Sequence, residues 1–449
     1  MVGRAASETG RVTERDADTT NTGRGMTSFR FIHTADVHID SPLIGLTRHE
    51  GPAAERIRSA TREAFDNLIG QAIDEQVAFI VIAGDLYDGD WRDFHTGLFF
   101  SLQMGRLAKA GIQAFVLHGN HDAESQITKR LTLPDNVSVF SARKPDSFVL
   151  DELKVALHGQ SFRQRDVTDN LVPGYPDPVS GMYNIGVLHT ALGGMAGHEN
   201  YAPCSLDDLK AKGYDYWALG HVHNGHVLHE NPHVVFPGNL QGRHIRETGP
   251  KGAHLVAVED GEITDFTTLH CDVVRWSRLS VPVDDCGGPA EVSDRIRQSI
   301  EQAVSAEADG RLLACRIELT GTSNIHGELL ASAENLMAEA QAAALGIGDD
   351  AAWIERLIVS TQPRRAPSVS ADHQDALGDL RNMLADAGKD EGLLQQLASD
   401  IGELSRRLPT DLRTGVEDAA LKAAIDGDYA YVIDHVQDYL SARLTAPGQ

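Results

Sequence analysis

One pattern constrains this chain more than any other: a short apolar run followed at once by Asp, His or Asn. FRFIH leads into TADVH, AFIVIAG into Asp85, QAFVLHG into Asn120-His121-Asp122, YNIGVL into His189, and YDYWALG into His221-Val222-His223. Runs such as FIVIAG are almost continuously apolar, which suits strands buried on both faces. Helical patterns over roughly 52–76 and 94–110 fall between them. Strands alternating with helices imply an α/β fold of layered sheet and helix. In such folds the ligand crevice lies beyond the carboxyl ends of the strands, where these polar residues fall.

Singly, the motifs say little. Asp36-Val37-His38 puts a carboxylate and an imidazole on the same side of an extended segment, yet it reads as readily as a surface turn. Asp85 after Gly84 could bridge two cations with its two oxygens, or simply end a strand. Asn120-His121-Asp122 is more specific, since it packs an amide oxygen, a proton donor and a carboxylate at one strand end. His189 alone is more often a satisfied structural histidine. His221 and His223, two residues apart, could converge on one cation, and imidazole suits Mn, Fe or Zn. Five such motifs in this order, each at a strand end, do not assemble by chance.

The series DxH, GD, GNHD, H, GHxH resembles the signature of the calcineurin-like metallophosphoesterases. That resemblance implies a double-ψ β-sandwich flanked by helices, with two divalent metal ions. One ion would take Asp36, His38, Asp85 and His223. The other would take Asp85, Asn120, His189 and His221, so that Asp85 bridges. Two cations about 3.5–4 Å apart would lower the pKa of a bridging water that attacks phosphorus. His121 matches the histidine beside the scissile phosphate, and Asp88 stands where some members carry its acidic partner. Asp122 is a neighbour of the set. Mn²⁺ is the metal the resemblance favours, with Fe or Zn as alternatives.

FIHTADVHIDSPL and AGDLYDGDWRDFHTGLFF further resemble SbcD-type DNA-repair exonucleases, and more closely their YhaO-like branch. The implied activity is metal-dependent cleavage of DNA phosphodiesters. The alternative is a phosphodiesterase for a small nucleotide or another non-DNA diester, and a scaffold with a degenerate site is a third reading. The implied partners are DNA, a coiled-coil ABC-type ATPase of the SbcC kind held by the C-terminal helices, and a second copy of the chain.

Four segments are expected: a polar, disordered tail over 1–25, a phosphoesterase domain over 26–272, a small α+β capping domain over 273–365, and a helical partner-binding region over 366–449. GAHLVAVEDGEITDFTTLH reads as a hairpin turning at Asp260-Gly261. The first 25 residues lack the apolar core of a secretory signal, and Met26 is an alternative start. Cys204, Cys271, Cys286 and Cys315 lack metal-knuckle spacing, and a cytoplasmic location with free thiols is expected. No apolar run is long enough to span a membrane.

Charge opposes the nuclease reading. With 40 Lys and Arg against 65 Asp and Glu, the net charge is -25, which repels nucleic acid at long range. Local cations would have to attract DNA. The candidates are Arg163, Arg165, Arg246, the capping domain and above all Arg243, which follows Pro237-Gly238-Asn239 and is expected near the metal centre. As a solvated surface arginine it would mean nothing. His95 and His244 are expected to be structural or exposed.

Overall fold

The structure, a computed structural model, describes residues 27–39, 41, 52–88, 94–124, 132–193, 201–348 and 350–364, and in the C-terminal region 389–407, 419–433 and a few single positions. The expected tail over 1–25, parts of the DSPL and DLYDGDW segments, and much of 366–449 lie outside the described residues. Chain contacts separate two units. The first holds Met1–Asp36, Ala72–Pro237 and His254–Thr268; the second holds Val37–Gln71, Gly238–Ala253 and Leu269–Gln449.

The strands of the first unit are β1 (Ser28–Thr34), β2 (Phe79–Ala83), β3 (Gln113–Leu117), β4 (Val137–Val139), β5 (Asp146–Leu150), β6 (Val155–Gly159), β7 (Tyr183–His189), β8 (Tyr216–Gly220), β9 (His226–Glu230), β10 (His233–Phe236), β11 (Gly252–Glu259) and β12 (Glu262–His270), of which Gly252, Ala253, Leu269 and His270 count with the second unit. They form two six-stranded sheets, ordered β12-β11-β1-β2-β3-β4 and β5-β6-β7-β8-β10-β9. Their central strands are parallel and carry the continuous apolar runs; β2, β6 and β8 are buried at every residue. Phe31, Phe79, Val81, Phe115, Ile185, Val187, Tyr216 and Ala218 form one core shared by both sheets. Phe31 stacks on Phe79 with centroids 5.2 Å apart and meets Tyr216 edge-on at 5.3 Å, the offset and T-shaped arrangements that aromatic quadrupoles favour.

Register sets the site. Thr34 pairs with Ile82, Ala83 with Leu117, and His189 with Gly220. The parallel strands of each sheet therefore end level, and the residues just past those ends leave the sheet together. The expected hairpin closes the first sheet: Asp260 and Gly261 both have left-handed backbone, with φ of 51° and 83°, as a two-residue turn matched to strand twist requires.

The helices are α1 (Pro52–Asp74), whose residues up to Gln71 count with the second unit, then α2 (Phe94–Lys109), α3 (Asn120–Glu124), α4 (Leu206–Ala211), α5 (Pro289–Ala303), α6 (His326–Ala331), α7 (Ala333–Ile347), α8 (Glu391–Arg407) and α9 (Ala419–Asp426). In the second unit β13 (Val274–Pro282), β14 (Leu312–Thr320) and β16 (Ala352–Val359) form a parallel three-stranded sheet, and β15 (Thr322–Ser323) pairs with β17 (Gln362–Pro363). Val292, Ile296, Ile300 and Ala303 recur at helical spacing along α5 and are buried. They share a core with Leu313, Cys315, Ile317, Leu336 and Ala340. A second cluster joins Ile57 and Ala60 of α1 to Ile245, Val274, Trp276, Leu312 and Ala314. All four cysteines are free and buried. Among the described residues, no helix is long and apolar enough to cross a membrane.

Candidate metal centre

Asp36, Asp85, Asn120, His189, His221 and His223 follow or end β1, β2, β3, β7 and β8, all within the first unit. The backbone bends sharply there. Asp36 and Asp85 each have φ of 51° and His221 has φ of 100°, a region that residues with a Cβ rarely occupy and that concentrates at functional sites. Gly84, with φ of 101°, abuts the imidazole of His189, leaving no room for a Cβ. Gly220 likewise abuts the carbonyl of Ala83.

His189 organises one half of the site. It is fully buried, and its Nδ1 lies 3.0 Å from the carbonyl of Ala83. A carbonyl only accepts, so Nδ1 carries the proton. Nε2 is then the nitrogen that faces Asp85 Oδ2 at 3.3 Å and Asn120 Oδ1 at 3.0 Å. A ring lone pair and two oxygen acceptors thus converge, which is unfavourable unless a cation lies among them. Burial by itself would lower the His189 pKa, but Asp85, Asp36 and the Ala83 carbonyl together outweigh that and raise it to about 9; a proton is one cation that can fill the role. Ligand atoms of Asp85, His189 and His221 all lie within 4.8 Å of one another, all three buried.

Asp36 organises the other half. Its N–H donates to Gly84 O at 3.0 Å, and its carboxylate accepts from the N–H of His221 at 3.1 and 3.0 Å. His223 Nε2 stands 3.9 Å from Oδ1. Burial pushes the Asp36 carboxyl up to about 6 against the pull of His223 and His189. A buried carboxylate held this way gains from a multivalent cation. The donor set of buried carboxylates, imidazoles and one amide oxygen fits first-row divalent metals.

Beside these residues His121 is the second residue of α3, and its Nδ1 is 3.0 Å from Asp88 Oδ1. The N–H of His121 donates to Asp85 Oδ1 at 3.0 Å. Asp122, which the sequence marked only as a neighbour, accepts from the N–H groups of Leu86, Tyr87 and Gly119 at 3.1, 2.8 and 3.0 Å. It ties the loop after β2 to the loop after β3, the two loops that carry Asp85 and Asn120. Sequence reasoning missed two aromatic rings: Phe162 is edge-on to His189 at 5.6 Å, and Tyr201 is edge-on to His221 at 5.5 Å. No spacing signal marked either one.

His38 and Arg243 belong to the second unit. His38 is fully buried, two residues along the chain from Asp36, with φ of 46°. Arg243 is not a solvated surface arginine: its side chain is 15% exposed and its Nη2 lies 3.5 Å from Glu247. Of the other basic candidates, Arg165 Nε donates to Tyr201 Oη at 3.5 Å.

The calcineurin-like phosphoesterase family matches residues 29–225, and the middle domain of the metallophosphoesterase YhaO matches residues 276–362. A Bacillus subtilis protein described as the uncharacterized metallophosphoesterase YhaO is 37% identical over 304 residues, covering 66% of this chain and 73% of its own length. Two proteins described as the DNA double-strand break repair protein Mre11 are each 26% identical. The Methanopyrus kandleri protein matches over 56% of this chain and 58% of its own length, and the Sulfurisphaera tokodaii protein over 55% and 64%.

Proposed function

The chain belongs to the calcineurin-like metallophosphoesterases and carries a YhaO middle domain, and from that premise we propose that it is a two-metal phosphodiesterase acting on DNA, the exonuclease subunit of a repair complex. The observation that carries the metal reading is the convergence of Asp85, Asn120 and His189 Nε2 on one buried point.

In this reading Asp36, His38, Asp85 and His223 hold one ion, and Asp85, Asn120, His189 and His221 hold the other. Bound there, the ions, Mn²⁺ by preference, would neutralise a phosphodiester and acidify a water. The chain's own groups do the rest. Asp88 accepts from Nδ1–H of His121 and fixes the ring orientation. Nε2 of His121, when protonated, donates to the leaving oxygen. Asp122 holds Asp85 and Asn120 in register through the backbone. Ala83 O keeps Nε2 of His189 turned toward the ions.

DNA is proposed from the SbcD-like N-terminal segments and from the Mre11 relatives. The acidic surface favours a second reading, a small-nucleotide diester as substrate. For DNA, the coiled-coil ATPase bound by the C-terminal helices would supply attraction that a chain of net charge -25 lacks. A homodimer belongs to the same reading; Leu98 and Leu102, one turn apart on α2, are 61% and 66% exposed and would need cover. A cytoplasmic location is part of the proposal.

The test uses end-labelled linear DNA and bis-p-nitrophenyl phosphate with Mn²⁺, comparing wild type with Asp85→Ala and with EDTA-treated protein. Cleavage of both substrates, lost in the variant and with EDTA, is the expected result. Cleavage of the generic diester alone, unchanged on adding the ATPase, would establish the small-substrate reading instead.

A further inference from the structure

Within the second unit, an unbroken series of hydrogen bonds runs from β13 to the turn that carries His38. At its near end Gln241 Oε1 accepts from the N–H groups of Val273 and Val274 at 2.9 and 3.3 Å, and its Nε2 donates to Val274 O at 2.7 Å. Trp276 Nε1 donates to Gly242 O at 2.9 Å. The loop over 239–247 is thereby fixed to the strand. Asn239 Nδ2 then donates to Gln241 O at 2.8 Å and to Glu247 Oε2 at 2.9 Å. Glu247, 5% exposed, also accepts from the N–H of Arg243 at 2.7 Å, and the Arg243 guanidinium lies 3.5 Å from its other oxygen. Arg243 Nη1 donates to Ser41 Oγ at 3.2 Å, and the N–H of Ser41 donates to His38 O at 3.0 Å, closing the turn.

Two physical points give this series a purpose. His38, with φ of 46°, occupies strained backbone space that persists only where surroundings over-determine it. Ser41 and Arg243 supply that determination. Second, a planar guanidinium whose charge is met by a buried carboxylate, and whose Nη1 is used on a serine, is rigid and already neutralised. It suits holding a protein turn better than gripping a diester.

We propose that Arg243 is a positioning residue which, through Ser41, holds the His38 turn and so sets the affinity of the ion that His38 serves. The inference rests on the two-metal reading above. The experiment compares full-length wild type, Arg243→Ala, Arg243→Lys and Ser41→Ala. It measures Mn²⁺ stoichiometry and affinity by calorimetry on metal-stripped protein, and KM and kcat for bis-p-nitrophenyl phosphate across Mn²⁺ concentrations. Arg243→Ala should weaken one of two Mn²⁺ sites by about 10–100-fold, the usual effect of losing a group that orients a ligand. Its kcat should recover at saturating Mn²⁺ with KM unchanged. Ser41→Ala should move affinity the same way by less, and Arg243→Lys should restore part of the loss. Raised KM with normal Mn²⁺ affinity in Arg243→Ala, and wild-type behaviour in Ser41→Ala, would make Arg243 a substrate contact and overturn the proposal. So would four proteins with indistinguishable affinities. Wild type that takes up no Mn²⁺ would overturn the metal reading itself, a different failure. If Arg243→Ala does not fold, Ser41→Ala, which deletes one hydroxyl, decides the matter by the same two readouts.

Discussion

At Nδ1 of His121 the carboxylate of Asp88 stands 3.0 Å away, while the main-chain N–H of the same residue is held by Asp85. One residue is thus oriented at both ring and backbone without being a proposed ligand. We expect His121→Ala to lower diester turnover by about 10²–10⁴-fold, the usual worth of a positioned acid or base, with metal content unchanged. Parallel kcat and elemental analysis would check both halves, and full activity in the variant would remove His121 from the proposed role. The five motifs were legible in the chain because each pairs a rare residue set with a strand end. Asp122 was legible only as a neighbour, because its work is to accept three backbone N–H groups, and backbone groups carry no sequence signal.

Strand ends and strand pairs give two expectations at the scale of the element. Gly220 closes β8 against Ala83 O at the end of β2. Gly220→Ala would force apart the ends from which Asp85 and His221 project. A loss of about 1–3 kcal/mol, typical of overpacking, should appear as a lower urea midpoint together with weaker metal uptake; wild-type values of both would refute it. The second concerns β1 and β11, where His33 pairs with His254. His33 Nε2 is 3.1 Å from Leu219 O, so that nitrogen carries the proton and Nδ1 accepts from Tyr216 Oη at 3.0 Å. Burial, with His254 adding to it, lowers the His33 pKa from 6.5 to about 3, and burial lowers that of His254 to about 4. Above pH 6.5 both are neutral whether folded or unfolded. Below it the unfolded chain binds protons that the folded chain refuses, so stability falls with pH, at up to about 1.4 kcal/mol per pH unit for each histidine. Urea unfolding from pH 7 to pH 5 should show this slope, reduced in His254→Gln. A slope equal in both proteins would dissociate it from His254.

At the scale of the whole molecule, the C-terminal helices are the proposed seat of the ATPase. Leu393 and Leu404 on α8 and Leu421 on α9 are exposed, apolar side chains that a bound partner would cover. Deleting 370–449 should abolish co-elution with the coiled-coil ATPase in size-exclusion chromatography and leave hydrolysis of the generic diester intact; co-elution of the truncated chain would place the partner site elsewhere. The sequence by itself determined the α/β class and the order of the motifs. Apolar runs report strand burial locally, and the rare residues that follow them need no partner to be recognised. Only the tertiary structure decided which of those residues meet. The convergence of Asp85, Asn120 and His189, the hold of Asp122 on Leu86 and Tyr87, and the links from Gln241 to β13 and from Arg243 to Ser41 all join positions far apart in the chain. Their spacing in sequence is set by the intervening elements and not by the contact, so register and packing alone bring them together.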